Sequence, residues 1–166
     1  MPTPLDALNS FEAAQAAVHL ALRSPGRAIW AGLDGESPNP FFDTRSVGMI
    51  ERWLLDDHRA ELQILVARDR ALLAKAPALV TLARRLSSRV GIRVLDPEAE
   101  DFSGEWHIHG EWFLSDAGAV VYRINKDSTA WQGSANAPME MRRLQKNHAG
   151  LWEHALPSSE TRSLSI

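Results

Sequence analysis

Two histidines and a glutamate alternate in the segment Trp106–Phe113 of this 166-residue chain. His107, His109 and Glu111 take every second position, and Asp116 follows shortly after them. Successive side chains of a β-strand point to opposite faces, so an extended segment would place the three on one face. Imidazole and carboxylate groups act as nucleophiles, general acids and bases, and metal ligands. The cluster is therefore the strongest candidate in the sequence for catalytic or metal-binding chemistry.

A metal site is one interpretation of this cluster. Alternate residues of a strand lie about 6–7 Å apart, which lets His107 and His109 share one ion. Glu111 would be a third ligand, and Asp116 or His148 a distant fourth. Three alternate residues of a strand spread over about 13 Å, which is a poor geometry for one ion bound by all of them. A metal-dependent hydrolase would therefore depend on His107 and His109.

A solvated sheet face is a second interpretation. In a half-buried strand His107, His109 and Glu111 would face water, while Trp106 and Trp112 pack inward. Glu111 would then pair loosely with His109, for at most about 1 kcal/mol. This interpretation requires no function of the cluster.

The elements that position the cluster follow from the hydrophobic pattern. Three helices are predicted to alternate with three buried strands, and this alternation predicts parallel strands joined by right-handed crossovers. The helices are predicted at Asn9–Arg23, Asp43–His58 and Pro77–Ser88, and the strands at Arg27–Leu33, Glu61–Arg68 and Gly91–Leu95.

The second half of the chain predicts an antiparallel extension of the sheet. Glu105–Ser115 and Ala119–Ile124 flank a short turn and read as a hairpin in which Gly118 permits the tight turn. Pro138 opens a long helix, and the tail Arg162–Ile166 is predicted to add an edge strand. The apolar face of the helix is Met141, Leu144, His148, Leu151 and Ala155. The fold class is therefore α/β, a mixed sheet of about six or seven strands with helices on both faces.

The order of elements and the segment Gly91–Trp152 resemble a single half of the phospholipase D-like fold. The catalytic half of that family carries His-x-Lys-x4-Asp, often followed by Gly-Ser-x-Asn. His109 and Asp116 stand in register with this motif, and Glu111 occupies the position of the lysine. Gly133–Asn136 matches the second motif farther downstream than is usual. The chain is thus similar to a phospholipase D-like half with a degenerate motif.

This resemblance implies a chemistry. In the family the histidine attacks phosphorus, the lysine neutralises the phosphoryl oxygens and the aspartate supports the histidine, which makes His109 the nucleophile and Asp116 its support here. Glu111 in place of lysine reverses a charge, and at about 4 Å a like-charge contact costs roughly 4 kcal/mol at an effective dielectric of about 20. Losing the attraction adds a similar amount, so a rate penalty of several powers of ten is expected. We therefore expect a non-catalytic domain that acts by binding or dimerisation, with a His109 phosphodiesterase as the alternative.

A closer resemblance is to uncharacterised bacterial domains of this size, often found downstream of an acetyltransferase domain. Leu65–Asp69, Phe113–Asp116 and Leu151–Glu153 carry it. A chain of this length leaves no room for an acetyltransferase domain, so acetyl transfer is not implied. The resemblance implies a domain that assists, binds or regulates.

Further residues are candidates for binding. Trp131 lies in a polar stretch and is predicted to be exposed, beside Ser134 and Asn136 of the second motif. Arg89 and Arg93 belong to a basic cluster that could hold phosphate. A solvated surface, or arginines that complement a helix C-terminus, explains the same cluster without a ligand. The loop 34–42 follows the first buried strand at the edge where open α/β sheets bind ligands, but it lacks the glycine spacing of a nucleotide site.

Composition limits the remaining choices. The chain carries 18 basic and 21 acidic residues, for a net charge of −3, which argues against a nucleic-acid partner. It has no cysteine and no apolar run long enough to cross a membrane, so a cytoplasmic location is expected. We expect residues 1–25 to add a helix packed on a single domain of residues 26–166. A homodimer, an unknown protein or a small phosphorylated ligand is the expected partner, with no cofactor.

Overall fold

Eight strands form one mixed sheet in the part of the chain that the structure describes. The structure is a computed structural model, and it describes residues 5–36, 38–95, 110–123 and 130–161. In chain order the elements are β1 (Asp6–Leu8), α1 (Phe11–Ala21), β2 (Ala28–Leu33), α2 (Thr44–Asp56), β3 (Glu61–Val66), α3 (Leu72–Lys75), α4 (Pro77–Arg85), β4 (Val90–Val94), β5 (Glu111–Ser115), β6 (Val120–Arg123), β7 (Trp131–Ser134), α5 (Pro138–His154), β8 (Leu156–Pro157) and a final turn of 3-10 helix (Ser159–Thr161).

The strand order is β1-β7-β6-β5-β2-β3-β4-β8. Strands β2, β3 and β4 are parallel, which confirms the crossovers predicted from the alternation of helices and strands. Strand β5 joins β2 antiparallel, and β6 and β7 follow as an antiparallel meander. The carboxyl ends of the parallel strands therefore meet the amino end of β5 at one edge of the sheet.

The helices lie on both faces of the sheet, as predicted. One face packs against α1, α2, α3 and α4 in a core that includes Val18, Ile50 and Leu82. The other face packs against α5 through Met141, Leu144 and other buried residues. In the described part of the chain α5 is the one helix on that second face, so a single helix covers it.

The burial of strand β5 contradicts the solvated-face interpretation. All five of its residues, Glu111–Ser115, are buried. The strand lies between β2 and β6 near the middle of the sheet, and both of its faces are covered by helices. The expectation that Glu111 lies on a face open to water is therefore wrong. A central strand with two covered faces buries polar and apolar side chains alike.

Three of the eight strands, β1, β7 and β8, were not predicted, and the total exceeds the expected six or seven. Strands β1 and β8 have three and two residues, too few for a hydrophobic alternation to show. Strand β7 is Trp131–Ser134, inside the stretch that the sequence indicated as polar connection. The predicted hairpin is confirmed over the described residues of β5 and β6, and Gly118 in its turn has a φ of +106°. The predicted strand at residues 162–166 lies outside the described residues.

None of the helices in the described ranges combines the length and the apolar composition that a bilayer crossing requires.

Candidate functional site

Glu111, which the sequence resemblance aligns with a lysine of the catalytic motif, lies at the carboxyl edge of the sheet. The pairing of Gly32 with Trp112 sets the register between β2 and β5, which brings Glu111 beside the end of β2. The loop 34–42 leaves the sheet at this point. Open α/β sheets bind their ligands at this edge, so Glu111 and the predicted ligand loop come together here.

Glu111 forms an ion pair with Arg123. The two residues are direct neighbours across the β5–β6 hairpin, and an Arg123 Nη atom donates to a Glu111 carboxylate oxygen. The side chain of Glu111 is fully buried, and that of Arg123 is 11% exposed. The glutamate charge is therefore neutralised inside the protein and does not project as a free negative charge into the site.

Burial dominates the electrostatics of Glu111. Loss of hydration raises its pKa above the ordinary glutamate value, and the Arg123 guanidinium opposes this rise without cancelling it. The charge of Asp34 raises the pKa further, while the Asp34 backbone N–H stabilises the carboxylate. The carboxylate is thus held by an ion pair and by the first residue of the ligand loop.

Aromatic side chains surround the ion pair. The Arg123 guanidinium lies 4.6 Å from the centre of the Trp131 ring. Phe41 packs edge-on against Trp131 with 5.5 Å between ring centres, and it packs in a tilted arrangement against Phe113 with 5.9 Å between ring centres. Trp131 is only 3% exposed, so the prediction that it is exposed is wrong. Its ring covers a buried cation, a role that the polar residues around it in the sequence do not indicate.

Asp116 lies at the opposite end of β5 from Glu111. The strand spans about 14 Å, and Asp116 begins the turn beyond its last residue. The Asp116 carboxylate accepts a hydrogen bond from the backbone N–H of Arg27 at 3.3 Å, and its own N–H donates to the carbonyl of Ala28 at 2.9 Å. Asp116 therefore ties the hairpin turn to the start of β2 and does not approach Glu111.

The Gly-Ser-x-Asn segment also lies away from Glu111. Ser134 is opposite Val120, next to the hairpin turn, and the Ala137 N–H donates to the Gly118 carbonyl at 2.8 Å. The Ser134 hydroxyl accepts from the Asn136 N–H at 3.1 Å, a local turn contact. The structure thus places Ser134 and Asn136 near the hairpin turn and Glu111 at the other end of the sheet.

Arg89 immediately precedes β4, and Arg93 is the fourth of the five residues of this strand. Arg89 donates to the carbonyl of Leu54 in the last turn of α2, and Arg93 donates to the carbonyl of Trp152 in the last turn of α5 at 2.8 Å. The other arginines of the predicted cluster have separate partners: Arg84 donates to the carbonyl of Glu160, and Arg85 pairs with Glu51.

His107 and His109 lie outside the described residues, so the nucleophile and the two-histidine metal site remain predictions. Within the described ranges, no group of three or more histidine, aspartate or glutamate side chains could hold a metal ion. His148, the distant fourth ligand in the metal hypothesis, is fully buried, and its Nδ1 accepts from the Trp112 indole N–H at 3.0 Å. Its place on the apolar face of α5 was predicted.

Sequence reasoning missed two charged partners. Arg123 was not singled out, although extending the predicted hairpin outward from its turn places position 123 opposite position 111. The second is the contact of Asp43 with α1. The sequence does predict that Asp43 caps α2, and this is confirmed, because its carboxylate accepts from the Ser46 N–H at 2.7 Å. The same carboxylate accepts from Gln15 Nε2 at 2.7 Å and contacts His19 Nε2 at 3.0 and 3.2 Å. Asp43 thereby joins α1 to α2, a contact between helices for which the sequence holds no local signal.

Solved structures with this fold define its class. Nuc from Salmonella typhimurium, a phospholipase D family member, matches 95% of the chain and 99% of its own at 14% identity and a TM-score of 0.61. NucT from Helicobacter pylori matches 93% of the chain and 97% of its own at 9% identity and a TM-score of 0.61. TrmBL2, an archaeal chromatin protein, has a TM-score of 0.65 at 12% identity over 94% of the chain, which spans 55% of the length of TrmBL2. The chain has a phospholipase D-like α/β fold.

Sequence comparison names the family. The chain belongs to the family described as Domain of unknown function (DUF7931), whose family model matches residues 38–164. A comparison with curated proteins found no sequence that matches the chain.

Proposed function

We propose that this protein is a non-catalytic phospholipase D-like domain that acts by binding a partner or by pairing with a second copy of itself. The observation that carries the proposal is the buried ion pair between Glu111 and Arg123. In a catalytic half this position supplies a lysine that attracts the phosphoryl oxygens. Here the pair contributes no net charge, because the Arg123 cation neutralises the Glu111 carboxylate.

The electrostatics around Glu111 differ from those that the sequence alone predicts. An unpaired glutamate would repel phosphate, whereas a neutral ion pair neither repels nor attracts it. The expected rate penalty is therefore smaller than for a full charge reversal, but it still removes about 4 kcal/mol of favourable interaction at about 4 Å and an effective dielectric of about 20. Preorganised charge is commonly the largest contribution to such catalysis, so this loss favours a binding role.

Hydrolysis of the chromogenic phosphodiester bis-para-nitrophenyl phosphate tests the proposal. Purified protein is assayed with EDTA present, beside His109→Ala as the matched control. We expect the two proteins to give the same background rate. An EDTA-resistant activity that is lost in His109→Ala would instead support the phosphodiesterase alternative, and an activity that EDTA abolishes would support the metal-dependent hydrolase. Either activity would contradict a non-catalytic role.

Light scattering over a range of protein concentrations distinguishes the two modes of action. A mass that stays at 18.4 kDa indicates a domain that acts on another molecule. A mass that rises to twice this value indicates self-association.

The ion pair itself is tested by exchanging its charges. Glu111→Lys alone places two cations together in a buried site, and we expect it to lower the free energy of unfolding by about 3–5 kcal/mol. The double variant Glu111→Lys/Arg123→Glu restores opposite charges, and we expect it to recover at least half of that loss. Urea denaturation of the wild type, both single variants and the double variant gives the coupling energy. Additive losses would show that the two side chains do not interact.

A further inference from the structure

Helix α1 presents one long side to solvent near the end of the sheet. It packs on β1, β6 and β7, the last strands at that end, and it contacts α2. On the side of α2, Gln15 and His19 contact the Asp43 carboxylate at 2.7 and 3.0 Å. The residues that point away from the sheet and from α2 form the open face of α1: Glu12, Ala16, Leu20 and Arg23, which are exposed, and Ala13 and Ala17, which are half-buried.

The open face carries one large apolar side chain among small ones. Leu20 is 51% exposed, although leucine is a residue that folded proteins usually bury. Residues three and four positions apart are neighbours on a helix, so Ala13, Ala16 and Ala17 form a shallow depression next to this leucine. A leucine that projects beside a depression of small residues matches the knob and the hole of two packed helices. The open face therefore holds both halves of such a contact.

The charges of the open face are complementary to each other. Glu12 lies in the first turn of α1, and Arg23 lies just after its last turn, where the Arg23 N–H still donates to the Leu20 carbonyl at 3.2 Å. In the described part of the chain neither side chain forms an ion pair. Two copies of α1 can pack antiparallel about a two-fold axis between residues 17 and 18. Glu12 of each copy is then level with Arg23 of the other, because both positions lie equally far from the axis.

The same axis places the apolar groups in contact. It brings Leu20 of one copy to the level of position 15 of the second copy, on the side of α1 that faces away from α2. The depression formed by Ala13, Ala16 and Ala17 of the second copy lies at this level, so the leucine of each copy meets the alanines of the other. One arrangement thus satisfies the charges and the apolar side chains together.

We propose that two copies of this chain pair through the open face of α1, antiparallel and with two-fold symmetry. A two-fold contact uses the same patch on both copies, and this patch is complementary to its own image in shape and in charge. The inference rests on the proposed function, of which it specifies the self-pairing mode. A helix of 11 residues is about 16 Å long. Stable complexes bury about 800 Å² on each partner, so a face this short predicts a weak and reversible dimer.

Two charge variants test the antiparallel register. Glu12→Arg gives the open face two cations and Arg23→Glu gives it two anions, so we expect each variant alone to dimerise at least about tenfold more weakly than the wild type. An equimolar mixture restores both pairs of opposite charges, and we expect it to form a mixed dimer with the affinity of the wild type. Sedimentation equilibrium measures the three affinities, and circular dichroism checks that both variants are folded. A mixture that associates no better than either variant alone would contradict the register.

The apolar contact has matched controls. We expect Leu20→Arg to weaken dimerisation at least about tenfold, and Leu55→Arg, at a leucine of α2 that is 65% exposed and lies outside the open face, to leave it unchanged. The chain has no cysteine, so Ala16→Cys, beside the proposed axis, can form a disulfide only between copies. Under mild oxidation we expect it to form a linked dimer faster than Ala78→Cys, at an exposed position of α4.

The outcomes separate this inference from the proposed function. Wild-type protein that stays monomeric up to about 1 mM would overturn pairing through α1 and leave the other proposed mode, the binding of a different molecule. A wild-type dimer that Leu20→Arg and Leu55→Arg weaken equally, or that the charge variants leave unchanged, would show that the copies pair through another surface.

Discussion

The side chain of His148 is held as a neutral imidazole inside the second core. Its Nδ1 accepts a hydrogen bond from the Trp112 indole N–H, which leaves the proton on Nε2. The ring stacks on Trp152 at 5.9 Å between ring centres. Burial lowers the pKa of His148 to about 3. The histidine is therefore a packing residue whose charged form the fold excludes.

This environment makes part of the stability depend on pH. The unfolded chain binds a proton at His148 near its ordinary pKa of 6.5, and the folded chain does so only near 3. The contribution of the neutral His148 ring to the free energy of unfolding is thus full above pH 6.5. It is lost as the pH falls below this value, by about 1.4 kcal/mol per pH unit. Urea denaturation at pH 7.5 and 5 should show that the free energy of unfolding falls more between these pH values for the wild type than for His148→Gln. An NMR titration with a midpoint near 6.5 for this ring would contradict the prediction.

Asp43 produces a second effect at the residue scale. Burial raises its pKa, but the hydrogen bonds from Ser46 and His19 outweigh burial and lower the pKa below 3.8. We expect Asp43→Ala to lower the free energy of unfolding by about 1 kcal/mol at pH 7, because the helix cap is missing. A lowered pKa stabilises the fold above the unfolded value and ceases to do so as the pH falls, so the difference from wild type should shrink at pH 3. Asp56→Ala, at the exposed end of the same helix, is the control for urea denaturation. A loss that grows at pH 3 would contradict this.

Prediction from sequence was least complete at this scale. The alternation of His107, His109 and Glu111 indicated which side chains share a face, but not whether that face meets water. Burial of Glu111 depends on helices that cross β5 from distant parts of the chain, and Trp131 is buried for the same reason. Local polarity indicates exposure only where tertiary packing does not override it.

At the scale of elements, the contact between β2 and β5 depends on a glycine. An added Cβ at Gly32 would overlap the indole of Trp112, which is only 1% exposed and has no room to move. We expect Gly32→Ala to lower the free energy of unfolding by about 1–3 kcal/mol. The same change at Gly48, in α2 with open space around it, should raise stability by about 0.5–1 kcal/mol, because alanine favours a helix. Chemical denaturation compares the two, and equal effects would show that the indole does not constrain Gly32.

Elements with a strong hydrophobic period were predicted well. Helices α1, α2, α4 and α5 and strands β2, β3 and β4 lie within a few residues of their expected limits. The short strands β1, β7 and β8 were not found, because backbone pairing with a neighbour defines them and side-chain pattern does not. Gly133 illustrates this: it pairs with both Asp6 and Val121, and a Cβ there would come within 2.8 Å of the Val120 carbonyl oxygen.

At the scale of the whole molecule, the N-terminal helix is part of the main core. Ala14 and Val18 of α1 are fully buried in the same cluster as Ile29 and Ile50. We therefore expect removal of residues 1–25 to expose this face and to abolish cooperative unfolding, which circular dichroism in urea measures. A truncated chain that still unfolds in one cooperative transition would show that residues 26–166 form a domain without the helix.

The edges of the sheet constrain how this molecule can meet another copy of itself. Within the described residues, β1 and β8 end the sheet after three and two residues, and Pro157 in β8 has no N–H to offer. Edges this short give an incoming backbone almost no hydrogen-bonding template, and they oppose amyloid-like growth. The edges formed by the described residues therefore favour self-association through side chains on a face or a loop-lined rim over a sheet continued from one subunit into the next.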